Sequence, residues 1–269
     1  MKKYFFTIFL LFFVYNLQSQ VLIALLLGDK LNTGKIEFGL DGGLNYSSIG
    51  GLETKKYDNS FFLGFYFDIK MKENWFLNTG VLVKSTLGAD ELTINDLNYL
   101  GAKIHDIEGG KYTQKMSAFL VPIKAKYKFK NHIHVEAGPQ VGLVYRGWIE
   151  YNFDDEDGNS VQIKEDNRDN MNWFDMGVTG GVGYRFLRGL SWTISANYYY
   201  GFTNIYKDKS GTNNSSLFLS AKIPFGVSEA KKQEIKEVKL MLLEKKQAKK
   251  ATKKQERKKA KENKKNNSL

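Results

Sequence analysis

The chain has 269 residues, 42% of them hydrophobic, enough for one large domain or two small ones. It contains no cysteine, which excludes disulfides, thiolate metal sites and a lipid-attachment cysteine. The formal net charge is +11, but Lys231–Leu269 alone holds 16 Lys/Arg and 5 Asp/Glu. The rest of the chain is therefore balanced, and its charge points to no nucleic acid or other anionic partner.

The N-terminus reads as an export signal over residues 1–20. Lys2 and Lys3 are followed by an almost wholly apolar run, Tyr4 to Tyr15, and then by Asn16, Gln18, Ser19 and Gln20. Cleavage is expected next to Ser19 or Gln20, with Leu17 an imperfect fit to the small-residue position. An uncleaved anchor is the competing reading, but the apolar run is short of the roughly 20 residues a spanning helix needs. Residues 21–34 form a lead-in: an apolar piece, Val21 to Leu27, then Gly28, Asp29 and Lys30.

From Lys35 to Phe225 the chain alternates polar and apolar residues with period two, the signature of strands with two chemically different faces. The clearest case sets Leu190, Trp192, Ile194, Ala196, Tyr198, Tyr200 and Phe202 on one face. Ser191, Thr193, Ser195, Asn197, Tyr199 and Gly201 occupy the other. Eight such segments are expected, starting near Ile36, Phe61, Trp75, Phe119, Ile133, Phe174, Leu190 and Leu217. The connections after the second, fourth and sixth are tight: Lys72-Glu73-Asn74, Lys130-Asn131 and Leu187-Arg188-Gly189. Those after the first, third, fifth and seventh are long and polar, including Leu87 to Met116 and Arg146 to Trp173. Outer-membrane barrels have short periplasmic turns and longer outer loops, so this order places both chain ends in the periplasm.

The fold expected over residues 35–226 is all-β: a closed antiparallel transmembrane barrel of eight strands. A soluble ligand-binding barrel would turn the apolar face inward instead. Three features favour the membrane version, the first being the export signal, which delivers the chain to the envelope. The polar face is glycine-rich and carries both charge signs (Glu37, Asp41, Asp68 and Asp175 with Lys70, Lys84, Lys124 and Arg185). The apolar face places Trp75, Phe129, Tyr145, Phe186, Trp192 and Phe225 towards strand ends, where interfacial girdles lie.

The run from Ala118 to Phe129, then Val135 to Gly142, resembles the PorT-like outer-membrane β-barrel proteins. So do Asp175 to Phe186 and the stretch from Tyr199 to Ile205. The resemblance covers most of Lys35 to Phe225 and implies a barrel in the cell outer membrane, in contact with lipid. PorT itself is linked to protein secretion and surface-protease maturation, a role not carried over to this chain.

No catalytic, cofactor or metal residues are expected, and the chain is read as a non-enzyme. Only His105, His132 and His134 carry imidazoles. His134 and Glu136 share the polar face and would suit a base with its orienting carboxylate, but a lumenal ion-pair network accounts for them more simply. Asp154-Asp155-Glu156-Asp157-Gly158-Asn159 suggests calcium, yet its glycine is misplaced for an EF-hand loop. A hairpin between Ile149–Phe153 and Val161–Ile163, turning at Asp157-Gly158, is the expected structure. Eight strands leave an interior just wide enough for side chains, so no open pore is expected. Residues 227–269 form a Lys-rich tail. Ile235, Val238, Met241 and Leu242 fall at helical spacing, and charge repulsion favours disorder beyond Ala248. That tail would suit contact with cell-wall polymer or anionic headgroups, and a solvated tail without a partner is the equal alternative. The function expected is structural or interaction-based, with a soluble ligand-binding barrel or a membrane-embedded enzyme as alternatives.

Overall fold

Strands in an apolar surrounding satisfy every backbone N–H and C=O only when their sheet closes on itself. The computed structural model, which describes residues 35–225 apart from 106–108, 156 and 187–190, shows such a closure. Its strands are β1 (Ile36–Ile49), β2 (Lys56–Lys72), β3 (Trp75–Asp90), β4 (Lys111–Lys128) and β5 (Ile133–Asp154). They continue with β6 (Ser160–Asp166), β7 (Phe174–Arg185), β8 (Thr193–Asn204) and β9 (Asn213–Pro224). Eight of them form a ring in the order β1-β2-β3-β4-β5-β7-β8-β9, and β9 returns to β1. Every pairing in the ring is antiparallel. At the closing seam Gly43 lies opposite Ser220, and a side chain at Gly43 would run into the Leu219 carbonyl. The expected signal, lead-in, tail and Leu187-Arg188-Gly189 turn all lie outside the described residues.

The alternation has the direction of a membrane barrel. On β8, Thr193, Ser195, Asn197 and Tyr199 are buried while Ile194, Tyr198, Tyr200 and Phe202 are exposed. Across the ring Phe61, Leu63, Phe119, Ile123, Val135 and Leu219 are likewise exposed, while Asp68, Lys124, Lys126, Glu136 and Lys222 are buried. This is the reverse of a soluble ligand-binding barrel.

Several details differ from expectation. Leu63 pairs with Lys84 and Gly64 with Leu82, so β3 carries one extra residue at Val83. That bulge reverses the faces, as bulges do, and turns Lys84 to the outside. Lys70 stands exposed at the end of β2 rather than inside. Phe225 is buried instead of joining a girdle, with its ring 5.4 Å from that of Phe38. The long connections are partly strand. β3, β4 and β5 have 16, 18 and 22 residues, whereas about 9–11 cross a bilayer, so this side of the barrel rises well past the membrane at the long-loop end. The expected hairpin forms, with Tyr151 opposite Ile163 and Phe153 opposite Val161.

The β3–β4 connection contains a short helix, α1 (Ile94–Leu100). Thr93 caps it by accepting from the Asp96 N–H, and the Asp96 carboxylate accepts from the Thr93 N–H in return. Gly101 ends it in the left-handed region at φ 70°, a conformation glycine adopts without steric cost. Asp96 also accepts from the Glu53 and Thr54 N–H groups at 2.6 and 3.1 Å. One carboxylate thus ties the β1–β2 loop to the helix start.

Candidate functional site in the barrel lumen

Side chains that alternate inward meet at the barrel axis, and they sort into two layers. At the long-loop end the lumen is apolar. Phe62, Leu82, Leu120 and Phe218 from the ring pack with Met116, Val144 and Tyr199, and Leu97 and Leu100 of α1 belong to the same cluster. Phe62 and Phe218 meet edge to face with ring centres 5.3 Å apart. Above them the Tyr206 hydroxyl donates to Gln114, whose amide also exchanges hydrogen bonds with Asn167.

Towards the short-turn end the lumen is ionic. β4 supplies Lys124, Lys126 and Lys128, β9 supplies Lys222, and their partners are Asp41 on β1, Asp68 on β2 and Glu136 on β5. Lys124 donates to Glu136 in a short bond. Lys126 lies 2.9 Å from Asp68 and 3.7 Å from Glu136, and Lys128 lies 3.0 Å from Asp68. Lys222 lies 3.5 Å from Glu136 and 3.8 Å from Asp41. Asn78 donates to Asp68 at 2.7 Å and accepts from Lys222 at 3.3 Å. Nearer the mouth Arg185 pairs with Glu37 at 2.6 Å, and Glu37 also accepts from the Tyr66 hydroxyl at 3.0 Å. Burying one such charge alone costs several kcal/mol. Each lysine here touches at least one carboxylate, and Glu136 serves three lysines.

Between the layers lies a cavity of about 30 Å³ bordered by Asp41, Phe62, Leu82, Lys124, Gln140 and Asn197 among others, room for one or two waters at most. Asp175 stands apart from the lysines and accepts from the Thr203 hydroxyl at 2.7 Å and the Asn214 amide at 3.4 Å.

The three histidines are not brought together. His105 stacks beside Tyr112 and Tyr151 at the long-loop end. His132 is exposed in the β4–β5 turn. His134 is buried in the lumen with its Nε2 3.8 Å from Glu136. Glu136 is engaged by lysines, so it orients no accessible base. In the acidic hairpin the Asp155 carboxylate accepts from the Asp157 N–H at 3.0 Å and from the Asn159 N–H at 2.7 Å. These bonds hold its pKa below the usual carboxylate value. The carboxylate closes the turn, and Glu156 lies outside the described residues. Among the described residues no group of three or more His, Asp or Glu is placed to hold a metal.

What sequence reading missed is the apolar layer. Its signal lay in runs such as Phe61-Phe62-Leu63 and Leu217-Phe218-Leu219, in which both faces of the strand are apolar.

The family model described as outer membrane protein beta-barrel domain matches residues 18–207. Among solved structures, the chain is similar to the attachment invasion locus protein Ail of Yersinia pestis, in complex with the heparin analogue sucrose octasulfate. The two share 13% identity, with 71% of this chain and 99% of that one covered and a TM-score of 0.36. It is also similar to Neisserial surface protein A, at 11% identity over 70% of this chain and 95% of that one with a TM-score of 0.32. OprG from Pseudomonas aeruginosa gives 12% identity, 71% and 93% coverage and a TM-score of 0.32. No curated protein matches the chain.

Proposed function

Since this chain belongs to the outer membrane protein beta-barrel domain family, we propose that it works in the outer membrane as a closed, non-catalytic barrel. Its role in this reading is structural or interaction-based, with the long-loop end facing outward and both chain ends in the periplasm. The observation that supports it is the occupied lumen, where among the described residues an apolar layer is stacked on an ionic one around a cavity of about 30 Å³. With the interior occupied, the surfaces left for a partner are the raised β3–β6 wall, the capped loops and the basic tail. The tail would meet cell-wall polymer or anionic headgroups. The PorT-like resemblance belongs to the same reading.

The absence of native cysteine makes the orientation testable. Single cysteines replacing Asp157 in the long hairpin and Asn131 in a short turn are exposed to an impermeant maleimide on intact cells. Labelling at position 157 alone is expected. Labelling at 131 alone would invert the proposal. Deleting residues 155–159 should impair the protein's cellular role more than any single polar substitution in the lumen that leaves the barrel folded. The reverse order would favour an enzyme.

A further inference from the structure

Two turns of the short-turn rim carry exposed lysines. Lys70 and Lys72 sit at the end of β2, Lys130 lies in the next turn along the rim, and all three are exposed. None of the three has an ion-pair partner among the described residues, and the only acid in these two turns is Glu73. The neighbouring acids Asp68 and Glu37 are committed to Lys126, Lys128 and Arg185 inside the lumen.

The two turns are adjacent in space. Trp75 lies opposite Tyr127, and the Lys128 N–H donates to the Asn74 carbonyl at 2.9 Å. On the lipid side of this junction the Trp75 and Tyr127 rings lie 5.0 Å apart, and those of Tyr127 and Phe129 4.9 Å apart. Exposed aromatic side chains of this kind settle at headgroup level, which places the lysines of the adjoining turns among the headgroup phosphates.

We propose that Lys70, Lys72 and Lys130, with the Trp75–Tyr127–Phe129 aromatic cluster beneath them, form a binding surface for an anionic phospholipid headgroup. The aromatic rings hold the acyl boundary and the ammonium groups hold the phosphate. This surface belongs to the barrel, not the tail, and its test does not depend on the orientation proposed above.

The test uses the full chain in liposomes, with Trp148, Trp173 and Trp192 replaced by Phe so that Trp75 reports its neighbouring lipid. Brominated phosphatidylglycerol is expected to quench Trp75 more strongly than brominated phosphatidylcholine. Lys72→Gln should lower that preference about fivefold, as removal of one cation near an anionic surface does. The triple change Lys70→Gln, Lys72→Gln and Lys130→Gln should abolish it. A variant keeping only Trp173 should give the same ratio with or without these changes. Equal quenching by the two lipids in the parent would overturn the proposal. So would an undiminished preference in Lys72→Gln and in the triple variant, because the anionic contact would then lie elsewhere, the tail included. Heat-modifiable gel mobility confirms that each variant is folded, and Lys72→Gln alone decides the matter should the triple variant fail to assemble.

Discussion

Replacing Glu136 with Gln tests the ionic layer at its most connected point. Glu136 is 3% exposed and receives a short bond from Lys124, with Lys222 at 3.5 Å and Lys126 at 3.7 Å. The amide keeps the shape and removes the charge. Asp68 and Asp41 must then answer for all the lysines, and Lys124 loses its salt-bridge partner. Breaking a buried pair by removing one partner costs about 3–5 kcal/mol, a large share of the roughly 5–15 kcal/mol that holds a folded domain. With a urea slope of roughly 2 kcal/mol/M the unfolding midpoint should fall by about 2 M. The assay is the folded fraction read by heat-modifiable gel mobility across a urea series. Glu91→Gln, which touches only the surface lysines Lys56 and Lys111, is the control and should leave the midpoint in place. Adding Lys124→Met to Glu136→Gln should recover part of the loss, with a coupling of about 0.5–3 kcal/mol. Recovery is partial because Lys126 and Lys222 remain underpaired. A midpoint for Glu136→Gln no different from that of Glu91→Gln would refute the idea that lumenal charges hold the barrel by pairing.

Thr93→Ala removes the α1 cap and should cost about 1 kcal/mol locally, seen as faster amide exchange over Ile94–Leu100 with the ring strands unchanged. Asp155 titrates below its ordinary value of 3.8 because loop amides bond its carboxylate. The stabilisation it lends the hairpin is therefore complete above that value and is lost as pH falls through the lower folded value. Protection of the Asn159 amide should follow that loss on acidification, and Asp155→Asn should weaken protection at neutral pH and flatten the pH dependence.

The strands were legible wherever their two faces differ chemically. On β8, serine, threonine and asparagine alternate with tyrosine and isoleucine, and the structure keeps that division. The pattern fails where the lumen itself is apolar, because Phe62 and Phe218 lie between apolar neighbours and period two disappears. Lys84 was misplaced because the extra residue at Val83 shifts every later side chain of β3 by one face, and spacing alone does not mark where a bulge falls. The long connections read as polar loops because their strands rise out of the lipid, where one apolar face is no longer required. Helix α1 was legible in principle from Thr93 to Asp96 and Gly101, but seven residues give too little periodicity to separate it from loop. The lumenal lysines were visible as a polar face. Their assignment to shared carboxylates depends on which strands become neighbours, and only ring closure sets that.

Side chains of the apolar and ionic layers close the barrel lumen, and conductance across a planar bilayer tests that closure most directly. Purified full-length protein should insert without producing a large steady current step, because the apolar and ionic layers occupy the lumen. A reproducible porin-like step from the folded protein would contradict the account.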